Sequence, residues 1–236
     1  MQISYLYSPH LEWVCNHPED ALNYLTHDGL QGEKLYQNEC YQEAIPYLNG
    51  AFDIALLLCR VHQQNNFLMV CKVVELARQL CHANRLTKNE DLNVLILVRA
   101  ISLFSIEEPQ WALSLGPAVL ERTLHTKLES MLRPLIRNAI FPDDPVLINH
   151  YFQVKQNIAS HCISVAQQRK EYYQMATLLI DTFCDTYLPE HWRRVCLDNL
   201  YRPVMHLQKL ADTPVEQKIV YKLQRRANVL AQYLLE

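Results

Sequence analysis

With 236 residues, half of them hydrophobic, the chain can bury a substantial core as one large domain or two small ones. A charged fraction of 20% and a formal net charge of −3 give no general reason to expect a nucleic-acid binder or a highly charged substrate. The charge is nonetheless uneven: residues 1–60 carry eight acidic side chains against Lys34 and Arg60, and residues 190–236 carry eight basic against five acidic.

The opening stretch MQISYLYSPHLEWV lacks the basic start and apolar run of a secretory signal, so the eight cysteines are expected to be reduced and the protein cytoplasmic. No two cysteines stand at C-x-x-C spacing, which removes zinc-ribbon and thioredoxin-type motifs. No apolar run approaches the roughly 18–20 residues of a membrane span. The chain has only four glycines, and helices need few. The expected fold is all-α, with about nine helices.

In chain order, Tyr41, Ala44, Ile45, Leu48, Phe52, Ala55, Leu56 and Cys59 trace one stripe of a long helix. Pro46 lies close enough to its start to leave it unkinked. Phe67, Val70, Cys71, Val74, Ala77 and Cys81 trace a second helix. The aliphatic run Val94 to Val98 has no second β-rich run to pair with, and reads as a buried helix. FPDDPV ends one helix and begins another, with Asp144 as cap and Pro145 in the first turn. A possible division into residues 1–141 and 142–236 falls here. Leu147, Tyr151, Val154, Ile158, His161, Cys162 and Val165 form a third stripe, and Tyr172, Ala176, Leu179, Ile180 and Phe183 a fourth. DTPVEQ is a capping box, Thr213 against Glu216. After it, Val220, Leu223, Ala227, Leu230 and Leu234 repeat at coiled-coil spacing, over too few heptads to define an intermolecular seam.

The segment 25–58 carries the most specific pattern. Gly32 stands at a small position, Tyr41 at an aromatic one by the inter-helix turn, and Glu43 to Ile45 open a second helix with Ala44 at a close-approach position. Tyr47, Leu48 and Ala51 continue it. This resembles a tetratricopeptide repeat, a unit of about 34 residues made of two antiparallel helices. Asp28 and Gln31 depart from the family's large apolar residues. The stretch QQRKEYYQMATLLIDTF, with Tyr173 and Ala176, is a weaker second match. The resemblance implies a non-catalytic adaptor, regulator or chaperone that holds a partner segment against its first helix, with Thr26, Glu33, Tyr36 and Gln37 at the recognition positions. The surrounding acidic charge favours a basic segment of a protein or peptide.

Catalytic signatures are missing: neither phosphate-cradling glycine loop occurs, nor G-x-S-x-G. No cofactor is expected. A rival reading is a metal- or small-ligand-binding helical bundle using His125 and Glu129, four residues apart, with Cys81–His82 or His161–Cys162. His161, on an apolar stripe, reads more simply as a core histidine bonded to backbone. A third reading, nucleic-acid contact by Arg193, Arg194, Lys218, Lys222, Arg225 and Arg226, is weakened by the interspersed Asp198 and Glu216.

Overall fold

The structure, a computed structural model, describes residues 8–61, 67–104 and 114–234. Among these the fold is all-α: α1 (Ser8–Asn16), α2 (Pro18–Gln37), α3 (Tyr41–Val61), α4 (Phe67–Leu86), α5 (Asp91–Ile101), α6 (Pro117–Arg137), α7 (Val146–Ser160), α8 (Val165–Cys184), α9 (Glu190–Asp198), α10 (Tyr201–Lys209) and α11 (Pro214–Leu234). One short 3-10 turn, Ser102–Phe104, follows α5. Eleven helices are described where about nine were expected; α1, α9 and α10 are only nine residues long each. The aliphatic run 94–98 is helical, with Ile96, Leu97, Ala100 and Ile101 buried. None of the eight cysteines is in a disulfide.

The chain divides into two compact units, residues 1–124 and 125–236. The division falls inside α6, ahead of the FPDDPV turn suggested by the sequence.

In the first unit, α3 is the core helix. It meets α2 in antiparallel register, Gly32 facing Leu48 and Asp28 facing Gly50. It meets α4 the same way, Tyr41 against His82 at one end and Cys59 close to Cys71 at the other. α4 turns back into α5, where Asn84 Nδ2 donates to Asn93 Oδ1 at 3.1 Å. α5 then lies along α3, held by Arg99 to Asp53 at 2.5 Å. The result is a series of antiparallel neighbours, α2–α3, α3–α4 and α4–α5, with Tyr36 of α2 reaching α4 and Asp53 of α3 reaching α5.

By length and composition α3 is apolar enough to span a bilayer, contrary to the sequence expectation. Here it is a packed core helix, with Ala44, Leu48, Ala51 and Phe52 fully buried. Pro46 sits in its exposed early turns and the helix runs on unbroken. Asp28, the departure from the repeat pattern, lies beside Gly50, whose missing Cβ leaves room for the carboxylate.

In the second unit the core gathers on α8, through Met175, Ala176, Leu179 and Ile180. Trp192 of α9 is fully buried and donates its indole N–H to the Ile136 carbonyl at 3.0 Å. Both cap readings hold. Val146 N–H donates to Asp144 Oδ1 at 3.1 Å. Thr213 N–H donates to Glu216 Oε2 while Glu216 N–H donates to Thr213 Oγ1. The stripe Leu147–Val165 does not run through: α7 ends at Ser160 and Ser164 caps α8, so Val165 opens the next helix. The weaker second match likewise lies on one continuous helix, α8, with Tyr173 and Ala176 a turn apart and no inter-helix turn between them.

Three helix ends share one device. Glu39, Lys88 and Ala139 adopt positive φ of 61°, 63° and 48° after α2, α4 and α6. Each is followed by an amide that reaches back five residues: Cys40 to Leu35, Asn89 to Asn84, Ile140 to Leu135. These are Schellman turns, whose left-handed residue is usually glycine. Replacing any of the three with glycine is expected to raise stability by about 1 kcal/mol, read as a higher denaturant midpoint with unchanged slope.

Candidate functional site

The buried side of α2 is small where it must be: Ala21, Leu25, Gly29 and Gly32 face inward. Beside that buried side runs a strip in which Glu19, Leu22, Thr26, Leu30, Glu33 and Gln37 follow one another within about a quarter of the helix circumference. Leu22 and Leu30 are 48% and 64% exposed, although leucine at such positions normally turns inward. α2 also carries four carboxylates, Glu19, Asp20, Asp28 and Glu33, against one cation, Lys34.

Of the four residues predicted for recognition, three share this strip. The Thr26 hydroxyl donates to the Leu22 carbonyl at 2.8 Å, which leaves its methyl outward. Gln37 Nε2 donates to Glu33 Oε1 at 3.3 Å, leaving the carboxylate otherwise in solvent. Tyr36 differs. It turns toward α4, where its hydroxyl lies 2.8 Å from His82 Nδ1 and its ring meets Tyr41 and His82 edge to face. Arg78 and Glu75 of α4 border the same point, locked to each other by two hydrogen bonds of 3.1 and 2.6 Å. Tyr36 is therefore the joint between α2 and α4, and the exposed part of the strip is Thr26, Glu33 and Gln37 with the two leucines. Nothing in the sequence marked Arg78 and His82 as neighbours of Tyr36, since they stand 42 and 46 residues further along the chain.

Burial, reinforced by the nearby Arg85 and Arg78, holds the His82 imidazole below its ordinary pKa; Glu121 opposes this weakly. The folded state thus binds the proton less readily than the unfolded chain. Stability is full above the unfolded value of about 6.5 and falls as pH drops below it, levelling off once the folded pKa is passed. An NMR titration of His82 is expected to show a midpoint below the ordinary histidine value of about 6.5, and His82→Gln to flatten this part of the pH profile.

The residues of the metal-site reading lie elsewhere and are engaged otherwise. His125 is buried and its Nε2 lies 3.0 Å from Asn157 Nδ2. Glu129 accepts from the Tyr151 hydroxyl at 3.2 Å and lies 3.9 Å from Lys155 Nζ. His125 is thus buried and Glu129 half-buried, each engaged with residues of α7. Cys81 is buried, its thiol pushed up to about 12 by burial, and faces the Asn93 carbonyl while His82 faces Tyr36. His161 follows α7 and bonds the Asn157 carbonyl at 2.7 Å through Nδ1, the backbone partner expected, but it is half-buried at the helix end and not a core residue. Among the described residues no three His, Cys, Asp or Glu side chains converge as a metal site.

What sequence reasoning missed is Lys155. Its side chain is 2% exposed, with Nζ donating to Glu171 Oε2 at 2.5 Å and to Gln174 Oε1 at 3.1 Å. The available signal was a lysine in register with Ile148, Phe152 and Ala159 on a helix face that is otherwise apolar.

No protein-family model, curated protein or solved structure matches the chain.

Proposed function

We propose that the chain is a non-catalytic docking protein of the tetratricopeptide-like kind, an adaptor, regulator or chaperone that holds a basic segment of another protein along α2. The observation that carries this reading is the exposed strip of α2, where Leu22 and Leu30 alternate with Thr26, Glu33 and Gln37 on a helix whose other face is fixed against α3. Exposed aliphatics supply the apolar anchor, and unpaired carboxylates select for positive charge and set register. A helical face of this kind suits a helix or an extended segment laid along it.

The pairing of α2–α3 with α4–α5 supports a repeat-like frame. The α2–α3 pair runs over residues 18–61, longer than a unit of about 34 residues, so the resemblance lies in the packing motif and not in repeat length.

Selection from a random displayed-peptide library against the purified chain tests the proposal. Recovered peptides are expected to combine Lys or Arg with aliphatic residues, and to bind at least about tenfold more weakly to the variant Glu19→Lys with Glu33→Lys. Peptides without basic preference, or binding untouched by that variant, reject α2 as the docking face.

A further inference from the structure

The basic end of the chain has a face that matches α2. On α11, Val220 and Leu223 are buried, which uses the first half of the coiled-coil seam within the fold. Beside this buried edge lie Val215, Ile219, Lys222, Arg226 and Val229, spaced by 4, 3, 4 and 3 residues, so that they line one exposed side of the helix. Val215 is 70% exposed and Ile219 44% exposed. Lys218 and Arg225 flank this line, and none of the four cations of α11 forms an ion pair among the described residues. The one carboxylate of α11, Glu216, lies away from this face: it closes the capping box and pairs with Arg169. Of the two acidic interruptions in the sequence, Glu216 is thus engaged off this face and Asp198 belongs to α9.

Nucleic acid does not account for the aliphatic residues interleaved with the cations, since phosphates give valine and isoleucine nothing to bury against. A second α11 laid on the first would set Lys222 and Arg226 against their own kind. The surface of complementary sign is the strip of α2, where Leu22 and Leu30 lie between the carboxylates Glu19 and Glu33. We infer that the α11 face of one copy docks on the α2 face of a second copy, a head-to-tail contact between copies of this chain. The inference rests on the reading of α2 as a docking face and identifies the basic segment that it receives. Because the two faces differ, the contact is heterologous, and assembly grows with concentration unless it closes into a ring.

Sedimentation velocity of the full chain, over about two decades of concentration and from about 0.05 to about 1 M salt, provides the test. Concentration-dependent association that weakens with salt is expected. The variant Lys222→Glu with Arg226→Glu and the variant Glu19→Lys with Glu33→Lys should each weaken it at least about tenfold. An equimolar mixture of the two, and a single chain carrying all four substitutions, should associate again. All four positions changed in these chains are at exposed or half-exposed sites, and circular dichroism melts of each variant verify folding. A monomer at every concentration in low salt overturns the inference, while the displayed-peptide selection still judges the α2 face independently. Loss of association in the α11 variant but not in the α2 variant also overturns it, by showing that α11 has a different target.

Discussion

Replacing Gly32 with valine is expected to cost about 3 kcal/mol or more, and with alanine about 1–2 kcal/mol, although alanine is the better helix former. A Cβ at this position would lie 2.9 and 3.0 Å from Leu48 Cδ2 and Cγ and 3.2 Å from the Leu48 backbone nitrogen. Leu48 is fully buried and cannot turn aside, and its nitrogen moves only with α3. Gly29, one turn earlier on the same buried side, has only the end of the Lys72 side chain at 3.7 Å. There the helix propensity decides, and Gly29→Ala is expected to stabilise by about 1 kcal/mol. Denaturant unfolding of the two alanine variants should move the midpoint in opposite directions. Shifts of the same sign would show that close contact between α2 and α3 does not depend on Gly32.

Removing Glu171 is expected to be the most damaging change in the second unit, about 3–5 kcal/mol for Glu171→Ala. It leaves the buried Lys155 ammonium with Gln174 at 3.1 Å and Glu129 at 3.9 Å, too little to replace a direct charged hydrogen bond. Lys155→Met should cost less. The carboxylates it strands, Glu129 and Glu171, are 16% and 19% exposed and reach water more readily than a lysine that is 2% exposed. Combining Lys155→Met with Glu171→Leu should recover part of the loss, because an apolar pair needs no compensation. A double-mutant cycle by thermal or chemical unfolding checks the order. Equal costs for the two single substitutions would contradict the burial argument.

Local chemistry was legible in the sequence and long-range chemistry was not. The boxes at Asp144 and at Thr213 with Glu216 were readable because cap and partner lie within a few residues. The break between α7 and α8 had the same kind of signal: Ser164 Oγ accepts from Gln167 N–H at 3.3 Å, and Gln167 Oε1 accepts from Ile163 N–H at 3.2 Å. An apolar stripe from Leu147 to Val165 masked it, since Cys162 and Val165 keep phase across the turn by coincidence. Gly32 and Ala44 declared close helix packing through size alone. In contrast, the orientation of Tyr36 depends on His82, and the burial of Lys155 on Glu171, which arrive from other helices. Thr26, Glu33 and Gln37 could be placed on one face by period, but only the exposure of Leu22 and Leu30 marks that face as unusual.

The docking role of α2 is tested most directly by a photoreactive amino acid placed at Thr26 or at Gln37, both exposed on the strip, with Tyr187 in the second unit as control. Irradiation in cells is expected to give discrete adducts of higher mass from positions 26 and 37, lost when Glu19 and Glu33 are both changed to lysine, and none from position 187. No adduct from either α2 position, or adducts that persist through the charge reversal, would contradict a partner held on this face.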